Sequence, residues 1–209
     1  MKSNIRPYQP RDLDALYAIS IATGLAGRDA SHLYEDSKLI GHIYSAPYAT
    51  LEPGLVLIVE DEQGVAGFIV GVLDTLAWTQ RLEREWWPLL RENYADPSET
   101  PAEVWTPDQR RAFLIHHPET PPRAIAAAFP AHTHMNLLPR LQRRGIGARL
   151  LTAWIEKARQ AGATGVHIGT NRANEDAIRF WRSQSFEAIE YEDVSPTRSL
   201  WLARRLYGV

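Results

Sequence analysis

The sequence predicts a single α/β (α+β) domain in which helices flank a sheet with an antiparallel centre. Three observations predict it. LVLIVE (55–60) and VAGFIVGVLDT (65–75) are apolar, β-branched runs on either side of the turn DEQG (61–64), which makes them the clearest hairpin in the chain. A strand-like run ends at Pro139, and a glycine-containing loop then opens directly into a helix whose apolar positions are 146, 150, 151, 154, 155 and 158. There are no repeats, low-complexity tracts or linkers, and 209 residues suffice for one well-buried domain or for one domain with a large insertion.

Taken in order, residues 4–9 read as a short strand, and Pro10 to Asp12 lead into a helix with Leu13, Leu16, Tyr17 and Ile21 on its apolar face. Gly24 to Asp29 breaks it. A second helix spans Ser37 to Tyr44 on Leu39, Ile40, Ile43 and Tyr44. The hairpin follows, with Gly67 and Gly71 as close-packing or bulge positions. Residues 76–130 exceed any ordinary connection and read as an insertion that forms a second layer of structure. In it, Trp78, Leu82, Trp86, Leu89 and Leu90 have helical spacing. Thr106-Pro107-Asp108-Gln109 is a capping box ahead of Phe113, Leu114 and Ile115. A tryptophan stripe of this kind is core by burial preference, although its aromatics also suit the wall of a pocket. Gly162 stops the helix after the loop, GVHIGTN (165–171) is a buried strand, and Asn174 to Ser183 is a helix with Ala177, Ile178 and Trp181 on one face. FEAIEYED (186–193) and SLWLARRL (199–206) make a last pair that closes the sheet.

Composition removes several function classes. A 44% hydrophobic content argues against disorder, and a net charge of −2 gives no global attraction to nucleic acid or an anionic membrane. The absence of cysteine excludes a disulfide, a thiol nucleophile and a cysteine-built metal site. No run approaches a membrane span and the N-terminus lacks the apolar core of a secretion signal, so a soluble cytoplasmic protein is expected.

The richest chemistry lies in AHTHMNLLPRLQRRGIGAR (131–149). Gly145 and Gly147 let a ligand approach the main chain. The first turn of the following helix offers unpaired N–H groups and the positive end of the helix dipole, and Arg140, Arg143 and Arg144 add charge, so the junction suits an anion such as phosphate. A Walker loop would need Lys-Ser or Lys-Thr after the second glycine, where Ala148 follows instead; a dinucleotide fingerprint would need glycine at Leu150.

Gln142-x-x-Gly145-x-Gly147 after an apolar strand, then GVHIGTN, then Asn174-x-x-Ala177-Ile178-x-Phe180, resembles the GNAT acetyltransferase superfamily, most strongly over residues 131 to 187. IRPYQPRDLDAL resembles the family's opening strand and helix. The resemblance implies a mixed, mostly antiparallel sheet flanked by helices. It implies acetyl-coenzyme A as cosubstrate, held by Met135, Leu137 and Leu138 on a strand that splays to pair with pantetheine, and by Gln142, Arg143, Arg144, Gly145, Ile146, Gly147 and Ala148 around the pyrophosphate. Asn174, Ala177, Phe180 and Trp181 complete that set. It also implies direct attack by an amine acceptor. YSAPYATLEPG (44–54) and PAHTHMNLLP (130–139) look most like bacterial relatives of the C-terminal acetyltransferase-like domain of animal O-GlcNAcase, which implies that a fold of this type need not be a working enzyme.

A primary amine with a pKa near 10.4 must lose a proton before it attacks, so a base or water relay is needed. His132 and His134, two apart on the strand, share one face and are the candidate bases. Against this, they are out of phase with Met135 and Leu137, and only a bulge, which the family carries there, could redirect one of them; the alternative is a hydrogen-bonded core histidine. No third ligand supports a zinc reading of His-x-His. Trp181 stands where the family places the tyrosine that protonates the departing thiolate, and Ser185 where it places glycine. Tyr191 and Tyr207 lack motif support. The leading expectation is an N-acetyltransferase for an unidentified primary amine. The alternative is a weak or inactive pseudo-acetyltransferase that serves as a coenzyme-binding or interaction module.

Overall fold

The hairpin lies near the middle of a seven-stranded sheet in the computed structural model, which describes residues 3–189 and 199–206. Its strands are β1 (Asn4–Pro7), β2 (Leu57–Asp61), β3 (Gly64–Val72), β4 (Ala131–Leu137), β5 (Gly165–Asn171), β6 (Glu187–Ala188) and β7 (Ser199–Arg205), in the spatial order β1-β2-β3-β4-β5-β7-β6. Only β4 and β5 run parallel, so the sheet is mixed and mostly antiparallel. The last strand inserts between β5 and β6 rather than adding at the edge. Residues 190–193 of the expected strand 186–193, Tyr191 among them, lie outside the described residues, as does Tyr207.

Helix α1 (Leu13–Ala22) is tied to β1 by Asp12, whose buried carboxylate accepts two bonds from Arg6 at 2.7 and 2.9 Å and one from the Gln9 amide at 2.8 Å. α2 (Leu39–Tyr44) is shorter than the expected Ser37–Tyr44, and α3 (Ala46–Leu51), with Pro47 in its first turn, follows it. The stretch 76–130, expected as an insertion, holds α4 (Thr75–Glu85, beginning one residue earlier), α5 (Trp87–Arg91), α6 (Pro107–His116) and α7 (Arg123–Ala128). The expected tryptophan stripe is broken at Trp86, where Pro88 forces a new helix start. The break rotates the register: Trp87 joins Trp78, Leu82 and Leu90 in the core, while Leu89 is 63% exposed. The capping box forms as expected, with Gln109 N–H donating to Thr106 Oγ1 and Thr106 N–H to Gln109 Oε1.

The sheet has a core on each face. One lies under α8 (Ile146–Gln160) and α9 (Glu175–Ser183) and contains Leu150, Leu151, Trp154, Ile168, Trp181 and Phe186. The other joins α1, α2 and α3 to the insertion through Leu16, Tyr48, Phe68, Val70, Trp78, Trp87 and Ile115, so the insertion shares the sheet's own core. Gly71 permits this thickness. A Cβ there would lie 2.3 Å from the His132 carbonyl oxygen and 2.5 Å from Trp154, whose indole N–H reaches across to Leu55 O at 2.9 Å.

Candidate functional site

β4 and β5 pair at only two positions, Ala131 with Val166 and His132 with His167, while β4 continues beside β3 to Leu137. Beyond His132 the two strands part. Leu138 N–H donates to Ala66 O at 2.8 Å, and hydrogen-bonded pairs alternate along an antiparallel ladder. The even residues His132, His134 and Asn136 therefore bond to β3. The C=O of Thr133 and the N–H and C=O groups of Met135 and Leu137 point into the gap that β5 leaves open. Leu137 O takes the Gln142 side-chain amide at 2.8 Å, and that same amide reaches Gly27 O at 3.2 Å, so Gln142 ties the strand end to the loop after α1.

The gap leads to the start of α8. Gly145 is its N-cap with φ 74°, no side chain caps the helix, and a Cβ on Gly145 would meet nothing within 4 Å. The first-turn amides of Ile146, Gly147 and Ala148 therefore have no side-chain cap among the described residues. At Gly147 an added Cβ would lie 3.1 Å from the Phe180 ring and 3.4 Å from Leu137, so this glycine sets how closely α9, α8 and β4 converge. Arg143 also takes a left-handed φ of 56° and lies 3.6 Å from Asp176. Arg144 donates to Arg140 O at 3.2 Å. Arg140 turns away and forks Asp61 at 2.8 and 3.4 Å, holding that carboxyl below the usual range, so its charge is committed to the hairpin turn.

Asn174 caps α9, its Oδ1 accepting from Ala177 N–H at 3.1 Å. Trp181 is 7% exposed and packs edge-on against Phe180 and Phe186, inside the core beneath the sheet. The helix ends in a Schellman arrangement, with Phe186 N–H on Trp181 O and Ser185 N–H on Arg182 O, and Ser185 occupies its left-handed position at φ 62°.

On the opposite face of β4, the uniform β3–β4 register carries no bulge that could redirect a histidine; the irregularity between β2 and β3 falls between Val59 and Glu60. His132 and His134 therefore stay on one face. His132 is buried and doubly bonded: Thr75 Oγ1 donates to Pro130 O at 2.7 Å and so accepts from His132 Nδ1 at 2.7 Å, leaving Nε2 to accept the Tyr48 hydroxyl at 2.7 Å. Burial and the neighbouring His134 and His167 keep its pKa well below that of free imidazole. Its lone pair is spent on Tyr48. His134 is only partly buried and has no hydrogen-bond partner among the described residues; Tyr44, Tyr48 and His132 surround its ring at centroid distances of 6.0, 5.6 and 5.7 Å. Desolvation, with His167 nearby, lowers its pKa to about 4, so it is neutral with a free lone pair. No sequence signal marks Tyr44, Tyr48 or Thr75 as site residues, because only the fold brings them to the strand.

The profile described as the Acetyltransferase (GNAT) family matches residues 16–186. The chain belongs to the GNAT acetyltransferase family. The crystal structure of SsHAT shares 31% identity, covers 100% of both chains and superposes with a TM-score of 0.88. A putative acetyltransferase from Salmonella typhimurium, yncA, solved with its cofactor acetyl-CoA, is 15% identical over 98% of this chain and 94% of its own, with a TM-score of 0.56, and shows the GNAT fold alone. Among curated proteins, Protein O-GlcNAcase of Rattus norvegicus is 22% identical over 85% of this chain. The chain spans about a fifth of that relative's length, as the match covers 19% of it. Acetyl-CoA is the donor that GNAT enzymes use. No helix among the described residues is long and apolar enough to cross a membrane.

Proposed function

We propose that this chain is an acetyl-CoA-dependent N-acetyltransferase acting on a primary amine. The observation that carries the reading is the continuity of the opening between β4 and β5 with the uncapped first turn of α8. The residues fit an extended pantetheine ending in a pyrophosphate. Thr133, Met135 and Leu137 offer main-chain groups along the gap, and the amides of Gly145 to Ala148 offer an anion seat that no side chain fills. Leu138, Asn174, Ala177 and Phe180 flank it, and Arg143 and Arg144 stand at its rim. Bound there, acetyl-CoA supplies a thioester carbonyl for direct attack by the amine.

His134 is the proposed catalytic histidine, and its pKa decides when it acts. Moving a proton from an ammonium of pKa near 10.4 to an imidazole at about 4 costs roughly 9 kcal/mol, against roughly 5 kcal/mol for loss to solvent at pH 7. The acceptor therefore loses its first proton to water. His134 takes the second, which the nitrogen sheds once it is bonded to carbon and far more acidic, and the C–S bond that breaks would release coenzyme A as its thiolate. His132, also expected as a base, has its acceptor nitrogen occupied by Tyr48 and acts as a positioning residue.

A pH–rate profile tests this. Turnover should rise with pH toward the amine's own pKa with no inflection near 6.5, and His134→Gln should lower kcat while leaving acetyl-CoA affinity intact. Unchanged kcat in that variant would remove His134 from the reaction. The reading as a slow or inactive coenzyme-binding module keeps one observation in its favour: Trp181 is packed in the core where the family's proton-donating tyrosine is expected.

A further inference from the structure

We infer that Arg111, on α6 of the insertion, is a recognition residue for a carboxylate carried by the acceptor at a distance from its amine; the inference rests on the acetyltransferase reading above. Most other arginines partly covered by the protein have a carboxylate: Arg6 has Asp12 and Glu60, Arg81 has Glu52 and Glu85, Arg91 has Glu83, and Arg140 has Asp61, while Arg204 donates to the Gln184 carbonyl. Arg111 has no ion pair among the described residues. Its Nε donates to the Tyr34 hydroxyl at 3.0 Å and its Nη1 to the Tyr44 hydroxyl at 3.2 Å, and its guanidinium carbon lies 5.9 and 5.7 Å from those two rings. These contacts fix the plane of the fork and leave Nη2 without an acceptor among the described residues. A guanidinium held this way is pre-organised for a bidentate anion.

Its location supplies the second observation. Tyr44 touches both groups, its hydroxyl bonded to Arg111 and its ring 6.0 Å from His134. One tyrosine thus spans the interval between the proposed reacting centre and the unpaired cation, and Tyr34, Tyr44, Arg111 and His134 are all only partly buried. Glu119 acts electrostatically on Arg111 and Tyr44 without closing an ion pair, and it competes with an incoming anion. The acceptor chemistry that matches is an amine separated by several bonds from a carboxylate. A free ω-amino acid or a lysine near an acidic residue in a peptide would supply it.

The test compares two pairs of acceptors by thiol release with acetyl-CoA: 6-aminohexanoate against hexylamine, and a blocked lysine peptide with glutamate against the same peptide with glutamine. The wild type should prefer the carboxylated member of one pair by roughly 10- to 100-fold in kcat/KM, the worth of a charge-assisted contact. The pair that shows it identifies the source. Arg111→Gln should abolish the preference through KM while leaving hexylamine turnover and acetyl-CoA affinity unchanged. Glu119→Gln, an exposed change that serves if Arg111→Gln does not fold, should enlarge the preference. Equal use of both members in both pairs, with turnover intact, overturns the role of Arg111 and leaves the acetyltransferase reading standing. If no amine is acetylated, the function reading fails. Calorimetry of 6-aminohexanoate and of the glutamate peptide against the coenzyme-loaded protein then decides Arg111: binding lost in the Arg111 variant supports the inference, and no binding of either overturns it.

Discussion

Gly145 offers a clean separation of backbone strain from charge. Its φ of 74° is left-handed and nothing lies within 4 Å of where a Cβ would stand, so substitution brings conformational cost without collision. Gly145→Ala should cost roughly 1–2 kcal/mol of stability, the penalty for an L-residue in that region, and lower Tm by about 2–8 °C in a chain of this size. Gly145→Glu should cost the same, but it places a carboxylate at the anion seat. At about 5 Å from a phosphate charge and an effective dielectric of about 20, that adds about 3 kcal/mol of repulsion, on the order of 100-fold in affinity. Calorimetric titration of acetyl-CoA into both variants, below their melting temperatures, isolates the charge contribution. If Gly145→Glu binds within about threefold of Gly145→Ala, the coenzyme's phosphates are not at this helix terminus.

Other positions give independent tests. Ser185→Gly relieves a left-handed side chain at the Schellman position and should raise Tm by about 2–4 °C; an unchanged Tm would contradict the strain. His132→Leu strands the Tyr48 hydroxyl and should cost roughly 2–3 kcal/mol in denaturant unfolding with acetyl-CoA affinity unchanged. His132, His134 and His167 all have folded pKa values below that of free imidazole, so the unfolded chain binds protons first as pH falls. Stability should be full above pH 6.5 and fall as pH drops toward about 4, with His134→Gln flattening part of the decline seen by denaturant titration. Trp181→Tyr should raise thiol release where the phenol reaches the sulfur, at some loss of packing against Phe180 and Phe186; fast wild-type turnover that the change leaves untouched would show the missing tyrosine was never limiting.

The parts legible in the sequence were those set by local rules. The hairpin follows from two apolar, β-branched runs on either side of DEQG, α8 from its apolar spacing and Gly145, and α6 from a capping box. Periodicity puts Trp86 in the core stripe because it treats the segment as one helix; Pro88 breaks it, and the buried position passes to Trp87. The parting of β4 from β5 is a relation between strands far apart in sequence, so no pattern within either reveals it. The phase conflict between His134 and Met135 is visible in the sequence, and no bulge relieves it. The strand is regular, with backbone groups of odd residues in the gap and even side chains toward the insertion. Ser185 was visible as a departure from the family, and its positive φ explains why glycine is the usual choice there. Arg111, Tyr34 and Tyr44 are separated by up to 77 residues and meet only through the fold.

The most direct measurement is release of free coenzyme A from acetyl-CoA, followed over a panel of primary amines with mass detection of the N-acetylated product. An N-acetyltransferase of this kind should give amine-dependent thiol release matched one to one by product, increasing with pH and reduced in His134→Gln. Tight acetyl-CoA binding with no amine-dependent release above the protein-free rate would contradict it and leave a coenzyme-binding module.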